Sequence, residues 1–227
     1  MKKIFFILFS LVFIFTNAQD DSQNTNTRIT TVGDLTGMGT GLWVRFNSSG
    51  NVKGSPYLFD TWTNVANIFS GDGKSYTVRN MNYDTKIDRF VTKISVDSVY
   101  VFNTRSLKQV KVNNQFFKLY KKGNQYSYLE LIAFGKGKEI LKQSVKKIKK
   151  GAKDPFTNSY KQDKYVLKVN YFINSEAGMQ ELELKKKPFL ALFGKDASQI
   201  KKYIKKHRLS IKEDLDIAEI FKYYNQI

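Results

Sequence analysis

The chain has 227 residues, with 38 Lys and Arg against 20 Asp and Glu, a formal net charge of +18 and an isoelectric point near 9.8. A single histidine and no cysteine exclude a disulfide framework, an acylated-cysteine anchor and metal sites built on His or Cys, which need several such ligands. Stability must come from a packed core, and the length suits one domain with at most an appendage.

The chain begins with a positive Met1-Lys2-Lys3, the apolar run IFFILFSLVFIF, and the small or polar Thr16-Asn17-Ala18. This pattern predicts a signal peptide over residues 1–18, cut between Ala18 and Gln19. The run is shorter than the roughly 20 apolar residues of a membrane-spanning helix, so no transmembrane segment is expected after processing. Removing Lys2 and Lys3 lowers the net charge from +18 to +16. Residues 19–41 are polar, carry several glycines and have few groups to bury, which predicts a flexible leader.

From residue 42 to 187, short runs rich in Tyr, Phe, Val and Ile recur between turn signals. They run GLWVRF, YLFDTW, VANIF, SYTVR, DRFVTKI, SVYVF, LKQVKV, QFFKLY, QYSYLELIAF, KEILKQSVKKI, KYVLKVNYFI and MQELELK. Turns are supplied by Gly71-Asp72-Gly73, Asn113-Asn114, Lys122-Gly123-Asn124 and Gly135-Lys136-Gly137, residue types that tolerate the positive φ of tight hairpins. The fold class expected is mainly β (α+β): a curved antiparallel meander sheet or open barrel of about 10–12 strands, with sequence neighbours paired. Within it, KEILKQSVKKIKKGAK (138–153) can be read two ways. A helix would gather Lys142, Lys146, Lys149 and Lys153 into a basic stripe, whereas a strand would splay its terminal lysines to both sides of the sheet. The preceding Gly-Lys-Gly turn and aromatic strand favour the strand.

Residues 188–227 change character. Pro188 suits the opening of a helix, and Asp196-Ala-Ser-Gln199 and Ser210-Ile-Lys-Glu213 resemble capping boxes. Ile200, Tyr203, Ile204 and His207 share one helical face, and Leu215, Ala218, Phe221 and Tyr224 another, predicting two short helices packed on the sheet.

No motif specifies a reaction or a cofactor. His207 lies among basic residues with no carboxylate to orient it, and is read as a helix-face residue half covered by the sheet. GDGKS at 71–75 lacks the earlier glycine of a phosphate loop, since Ile68 stands there, and GMGTG at 37–41 has no strand before it or helix after it. No Asp-rich calcium loop occurs. Two carboxylates meeting in a cleft would be the one route to a hydrolase.

Basic charge is concentrated: residues 105–153 carry +12 and residues 185–208 carry +8, so the remaining mature chain is slightly acidic. The candidate contacts for an anionic surface are Lys146, Lys147, Lys149 and Lys150 in the first run and Lys201, Lys202 and Lys205 in the second. Specific nucleic-acid binding is not expected, because strand alternation sends half of the interleaved Phe116, Tyr120, Tyr126 and Tyr128 to the core.

The start MKKIFFILFSLVFIFTNAQ resembles signal peptides of Bacteroidota, and GSPYLFDTW, the Tyr- and Lys-rich meander and the ending IFKYYNQI are similar to small secreted proteins of that phylum with no assigned activity. The resemblance implies an envelope location, periplasmic or secreted, and transfers no functional residue. Asp97-Ser98-Val99 matches the short Asp-Ser/Thr-apolar pattern of O-glycosylation in that phylum, with Ser98 the acceptor; a turn leading into a strand is the favoured reading of the triplet. The expected function is non-catalytic binding of an envelope component, whether a partner protein, a lipid or an anionic polysaccharide. A hydrophobic-ligand carrier with a cavity under the terminal helices and a hydrolase with paired carboxylates are the alternatives.

Overall fold

The computed structural model describes residues 26–29, 41–45, 50–71, 73–104, 107–153, 155–156 and 158–227. The expected signal peptide, its junction at Ala18 and Gln19, and the expected leader apart from residues 26–29 and Gly41 lie outside the described residues.

In chain order the first strands are β1 (Asn26–Ile29), β2 (Leu42–Arg45), β3 (Ala66–Ser70), β4 (Ser75–Val78), β5 (Met81–Asp84), β6 (Arg89–Lys93) and β7 (Ser98–Val101). The later ones are β8 (Leu107–Val112), β9 (Gln115–Lys122), β10 (Gln125–Gly135), β11 (Lys138–Lys149), β12 (Lys164–Ser175) and β13 (Gly178–Leu182). Helices α1 (Lys186–Ala191), α2 (Ala197–His207) and α3 (Asp214–Tyr224) follow, with a 3-10 turn at Gly194–Asp196. The mainly β architecture with short C-terminal helices is as expected.

The strands divide over two sheets, one of order β1-β4-β3-β8-β9-β10-β11-β12-β13 and one of order β2-β7-β6-β5. The larger sheet stays open, with β1 and β13 as its edges. From β8 to β13 the expected meander holds: Asn113, Gly123, Lys136, Gly137 and Gly178 all take positive φ in the hairpin turns. Upstream, sequence neighbours pair within β3–β4, β5–β6 and β6–β7, but β1 and β2 join distant strands and the chain changes sheet after β4 and again after β7. After β4 the chain turns at Asn80 (φ 53°), builds β5, β6 and β7 as a separate sheet with β2, and returns as β8 beside β3. The central residues of β5, β6 and β7 are buried and cover apolar sheet surface that water would otherwise reach, while β2 is exposed. Strand β1 lies within the stretch expected to be a leader, and it pairs parallel to β4.

Two further differences have local causes. The run YLFDTW forms no strand; the buried amide of Asn82 accepts from Phe59 N–H at 3.0 Å and donates to Phe59 C=O at 2.9 Å, doing what a neighbouring backbone would do. Met81–Asp84, unexpectedly a strand, supplies that amide.

One face of the large sheet carries both layers that cover it. Ala66, Ile68, Val110, Phe117 and Tyr128 meet Met81, Tyr83, Phe90 and Tyr100 from the small sheet in an aromatic core. Farther along, Ala133, Ile140, Ile173 and Leu182 meet Phe189, Phe193, Ile200, Ile217, Ile220, Phe221 and Tyr224 from the helices. An extra residue, Ile132, bulges β10 between Leu131, paired with Leu141, and Ala133, paired with Ile140. The bulge returns Ala133 to the helical side. In α3 the buried face is Ile217, Ile220, Phe221 and Tyr224; of the expected face Phe221 and Tyr224 are buried and Ala218 half-buried, whereas Leu215 is 85% exposed and Ile217 and Ile220 take its place. Three helices occur rather than two, because Lys186–Ala191 completes a short helix that buries Phe189.

Candidate functional site

The C-terminal helices create a surface groove from a helix end. In α2, Ile200 is buried in the core, and Lys201, Lys205 and Arg208 recur one turn apart along the adjoining face. The helix stops at Arg208, whose backbone is left-handed (φ 54°, ψ 35°). Arg208 N–H donates to Lys205 C=O at 3.4 Å and Leu209 N–H to Ile204 C=O at 3.0 Å, the bond pair of a Schellman motif. That turn swings Leu209 back toward Ile204. The connection to α3 is then fixed by Ser210 N–H donating to Asp216 Oδ2 at 2.7 Å and Lys212 N–H donating to Ser210 Oγ at 3.2 Å. Ser210 therefore caps nothing, and α3 starts later, at Asp214, with Asp214 and Asp216 complementing its positive N-terminus.

The resulting groove has a volume of about 520 Å³. Leu190, Ile204, Leu209 and Ile211 form its apolar floor, and Lys186, Lys201, Lys205, Arg208 and Lys212 stand around it with Ser210. No carboxylate lines it. Among the described residues none of these five cations takes part in an ion pair, so their fields add rather than cancel. The long Lys and Arg stems can cover apolar surface while their charged ends reach water.

The lysines of β11 are placed differently. Lys146 is paired with Asp60 at 3.6 Å. Lys150 is paired with Asp163 at 2.8 Å, and its hydrogen bond, with that of Gly151 N–H at 2.9 Å, holds the Asp163 carboxyl below the usual carboxylate range. Lys147 and Lys149 are exposed at the far end of the strand, as strand geometry requires. Lys202 is exposed on α2 but outside the groove. Of the seven lysines singled out in the sequence, then, Lys201 and Lys205 converge on one site. Comparison with family models, curated proteins and solved structures gives no match to this chain.

The groove unit is anchored to the sheet by Lys142. Its ammonium lies 2.5 Å from Asp214 Oδ2 at the start of α3 and 3.1 Å from Glu130 Oε2 on β10, and Tyr171 OH donates to Asp214 Oδ1 at 2.8 Å. Burial pulls the Lys142 pKa down, but the Asp214 hydrogen bond and the Glu130 charge outweigh it, and the pKa is raised. The Glu130 contact, at 3.1 Å, is an ion pair between two largely buried side chains. On the turn between β10 and β11, Lys136 pairs with Asp196 at 3.6 Å and Asn225 Nδ2 donates to Phe134 C=O at 3.0 Å, fastening the other end of the helical unit.

A larger cavity of about 690 Å³ is lined by Asp88, Arg89, Asn103, Thr104, Leu119, Gln125 and Tyr126. Its charged groups are already engaged: Asp88 Oδ1 accepts from Tyr83 OH and from Tyr128 N–H, and Arg89 donates to the carbonyl of Asp88 at 2.7 Å. Two more surface cavities, of about 560 and 520 Å³, each contain a single carboxylate, Glu139 and Asp84 respectively. Beneath the helices, where a carrier would need space, Phe189, Ile200, Ile217, Ile220 and Phe221 are fully buried against the sheet. His207 is exposed and lies against the Tyr203 ring at 4.3 Å, not under the sheet. Ser98 opens β7 with its Oγ 2.6 Å from Ser95 Oγ, and Ser95 N–H donates to Ser98 C=O, closing a turn over 95–98. Among the described residues no helix is long and apolar enough to cross a membrane.

Sequence reading missed Lys186, Arg208, Lys212 and the apolar floor as parts of one site. A signal was present in the helical spacing of Lys201, Ile204, Lys205 and Arg208. The contribution of α1 and of the 209–212 connection depends on chain reversal at Arg208, which no local pattern marks, since glycine is the usual residue there.

Proposed function

We propose that this chain is a non-catalytic exported protein, periplasmic or secreted, that binds an anionic component of the cell envelope through the basic face of its helical unit. One observation carries this reading: five cations with no acidic neighbour in the lining ring an apolar-floored groove. The signal-peptide pattern at residues 1–18 and the resemblance to secreted proteins of Bacteroidota support the location. A lysine held near an anionic surface contributes about 1 kcal/mol, so five together supply roughly 5 kcal/mol, a dissociation constant near ~0.2 mM before any apolar contact.

The test is co-sedimentation of the mature chain with vesicles. Binding is expected to vesicles containing an anionic phospholipid, to be absent with zwitterionic ones, and to collapse as salt rises toward about 0.5 M. Equal binding to both vesicle types, or binding that salt does not weaken, would show that charge is not the basis of recognition.

A further inference from the structure

Resting on that reading, we infer that the groove holds one anionic lipid molecule, its phosphate monoester head among Lys201, Lys205 and Arg208 and its acyl chain along the floor. A polyanion without an apolar part would satisfy the cations and leave Leu190, Ile204, Leu209 and Ile211 wet; a neutral lipid would fill the floor and leave the cations without a counter-charge. Only an amphiphile answers both. A phosphate monoester suits the head because it carries up to two charges and several acceptor oxygens, and a guanidinium can bind it through two parallel N–H groups. The volume of about 520 Å³ is within the range of small-molecule sites.

The backbone at Arg208 points the same way. A left-handed residue at a helix end is glycine by preference, and a side chain there adds strain. Here the strained position carries a guanidinium at the groove, over a floor that the same turn assembles by bringing Leu209 to Ile204. Strain retained at a ligand-facing position is expected where the side chain itself has work to do.

The experiment uses n-alkyl phosphates of increasing chain length, below their micelle concentrations, titrated calorimetrically into the mature chain, with inorganic phosphate and the matching alkyl alcohol as controls. Each buried methylene is expected to strengthen binding about fourfold, so two carbons give roughly 15-fold until the floor is covered, after which affinity levels off. Leu209→Asn and, separately, Ile211→Asn should flatten that dependence while keeping salt-sensitive vesicle binding, and a thermal melt of each reports whether it is folded. Affinity independent of chain length and equal to that of inorganic phosphate, with vesicle binding intact, would overturn the lipid occupant and leave the electrostatic reading standing. Equal affinity for the alkyl alcohol would overturn the role of the phosphate head. Failure to bind both the alkyl phosphates and anionic vesicles would remove both readings.

Discussion

At Lys142 one ammonium meets two carboxylates from distant parts of the chain, Glu130 on the sheet and Asp214 on α3, with only 15% of its side chain exposed. Removing a single partner from such a cluster is worse than removing the pair, because the remaining charge stays buried without compensation. Lys142→Met is therefore expected to lower stability by roughly 3 kcal/mol, and Lys142→Met with Glu130→Leu to recover much of that loss. Urea denaturation of the three proteins checks this; a Lys142→Met loss well under 1 kcal/mol would mean that water already screens the cluster. Arg208 leads to the opposite expectation. Glycine relieves the left-handed strain, so Arg208→Gly should raise the urea midpoint by the equivalent of about 1 kcal/mol while weakening alkyl phosphate binding. A variant that loses both stability and binding would show that the guanidinium holds the groove together rather than serving a ligand.

Two elements carry similar Lys-Lys pairs to different ends. In β11, alternation sends successive lysines to opposite sides, and Lys142, Lys146 and Lys150 each find a carboxylate. In α2, the helical period stacks Lys201 and Lys205 on one side beside Ile204, in a groove that no carboxylate lines among the described residues. Removing two charges from each element should separate them. Lys201→Ser with Lys205→Ser is expected to weaken anionic-vesicle binding about 30-fold, the equivalent of roughly 2 kcal/mol, and Lys147→Ser with Lys149→Ser less than about threefold. Equal losses in the two variants would return the binding surface to the whole basic face. The strand character of 138–149 was legible in its flanking turn, and so was the amphipathic face of α2. The groove was not, because Leu190 and Ile211 lie on separate stretches of sequence and join Ile204 only when α1 and the 209–212 connection are brought beside α2. The start of α3 was misread for a different reason: Ile217 and Ile220 on one side and Leu215 on the other both offer helical spacing with Phe221 and Tyr224, and only the position of the sheet decides between them.

For the whole molecule, the β8–β13 meander was legible in its alternating runs and turn signals, whereas the separate sheet of β2, β5, β6 and β7 was not, although Asp88 in its β5–β6 turn also takes positive φ (55°). That sheet depends on non-local burial, and its key residue, Asn82, looks like a turn former while lying fully buried with its amide bonded to Phe59. The same layering makes the fold vulnerable to alkali. Burial is the first cause raising the pKa of Tyr57, Tyr83, Tyr120, Tyr128 and Tyr171, with Asp84 adding to it at Tyr57, Asp88 at Tyr83 and Tyr128, Glu139 at Tyr120 and Asp214 at Tyr171. Tyr57 is pushed up to about 12. A group whose pKa is higher in the folded chain contributes stability that is complete below its unfolded value, near ~10 for Tyr and Lys, and is lost as pH rises through the folded one. Lys142, also raised, acts in the same direction. Tyr83 and Tyr128, 3% and 2% exposed, alone remove roughly 3 kcal/mol per pH unit above ~10, against a total stability on the order of 5–15 kcal/mol. The chain is therefore expected to unfold cooperatively within about two to three pH units above ~10, with phenolate absorbance and loss of far-ultraviolet circular dichroism rising together, and Tyr83→Phe with Tyr128→Phe should make that transition shallower. If all the tyrosines instead ionise near ~10 while the dichroism stays native, the aromatic core between the two sheets is open to water and the sandwich is not packed as described.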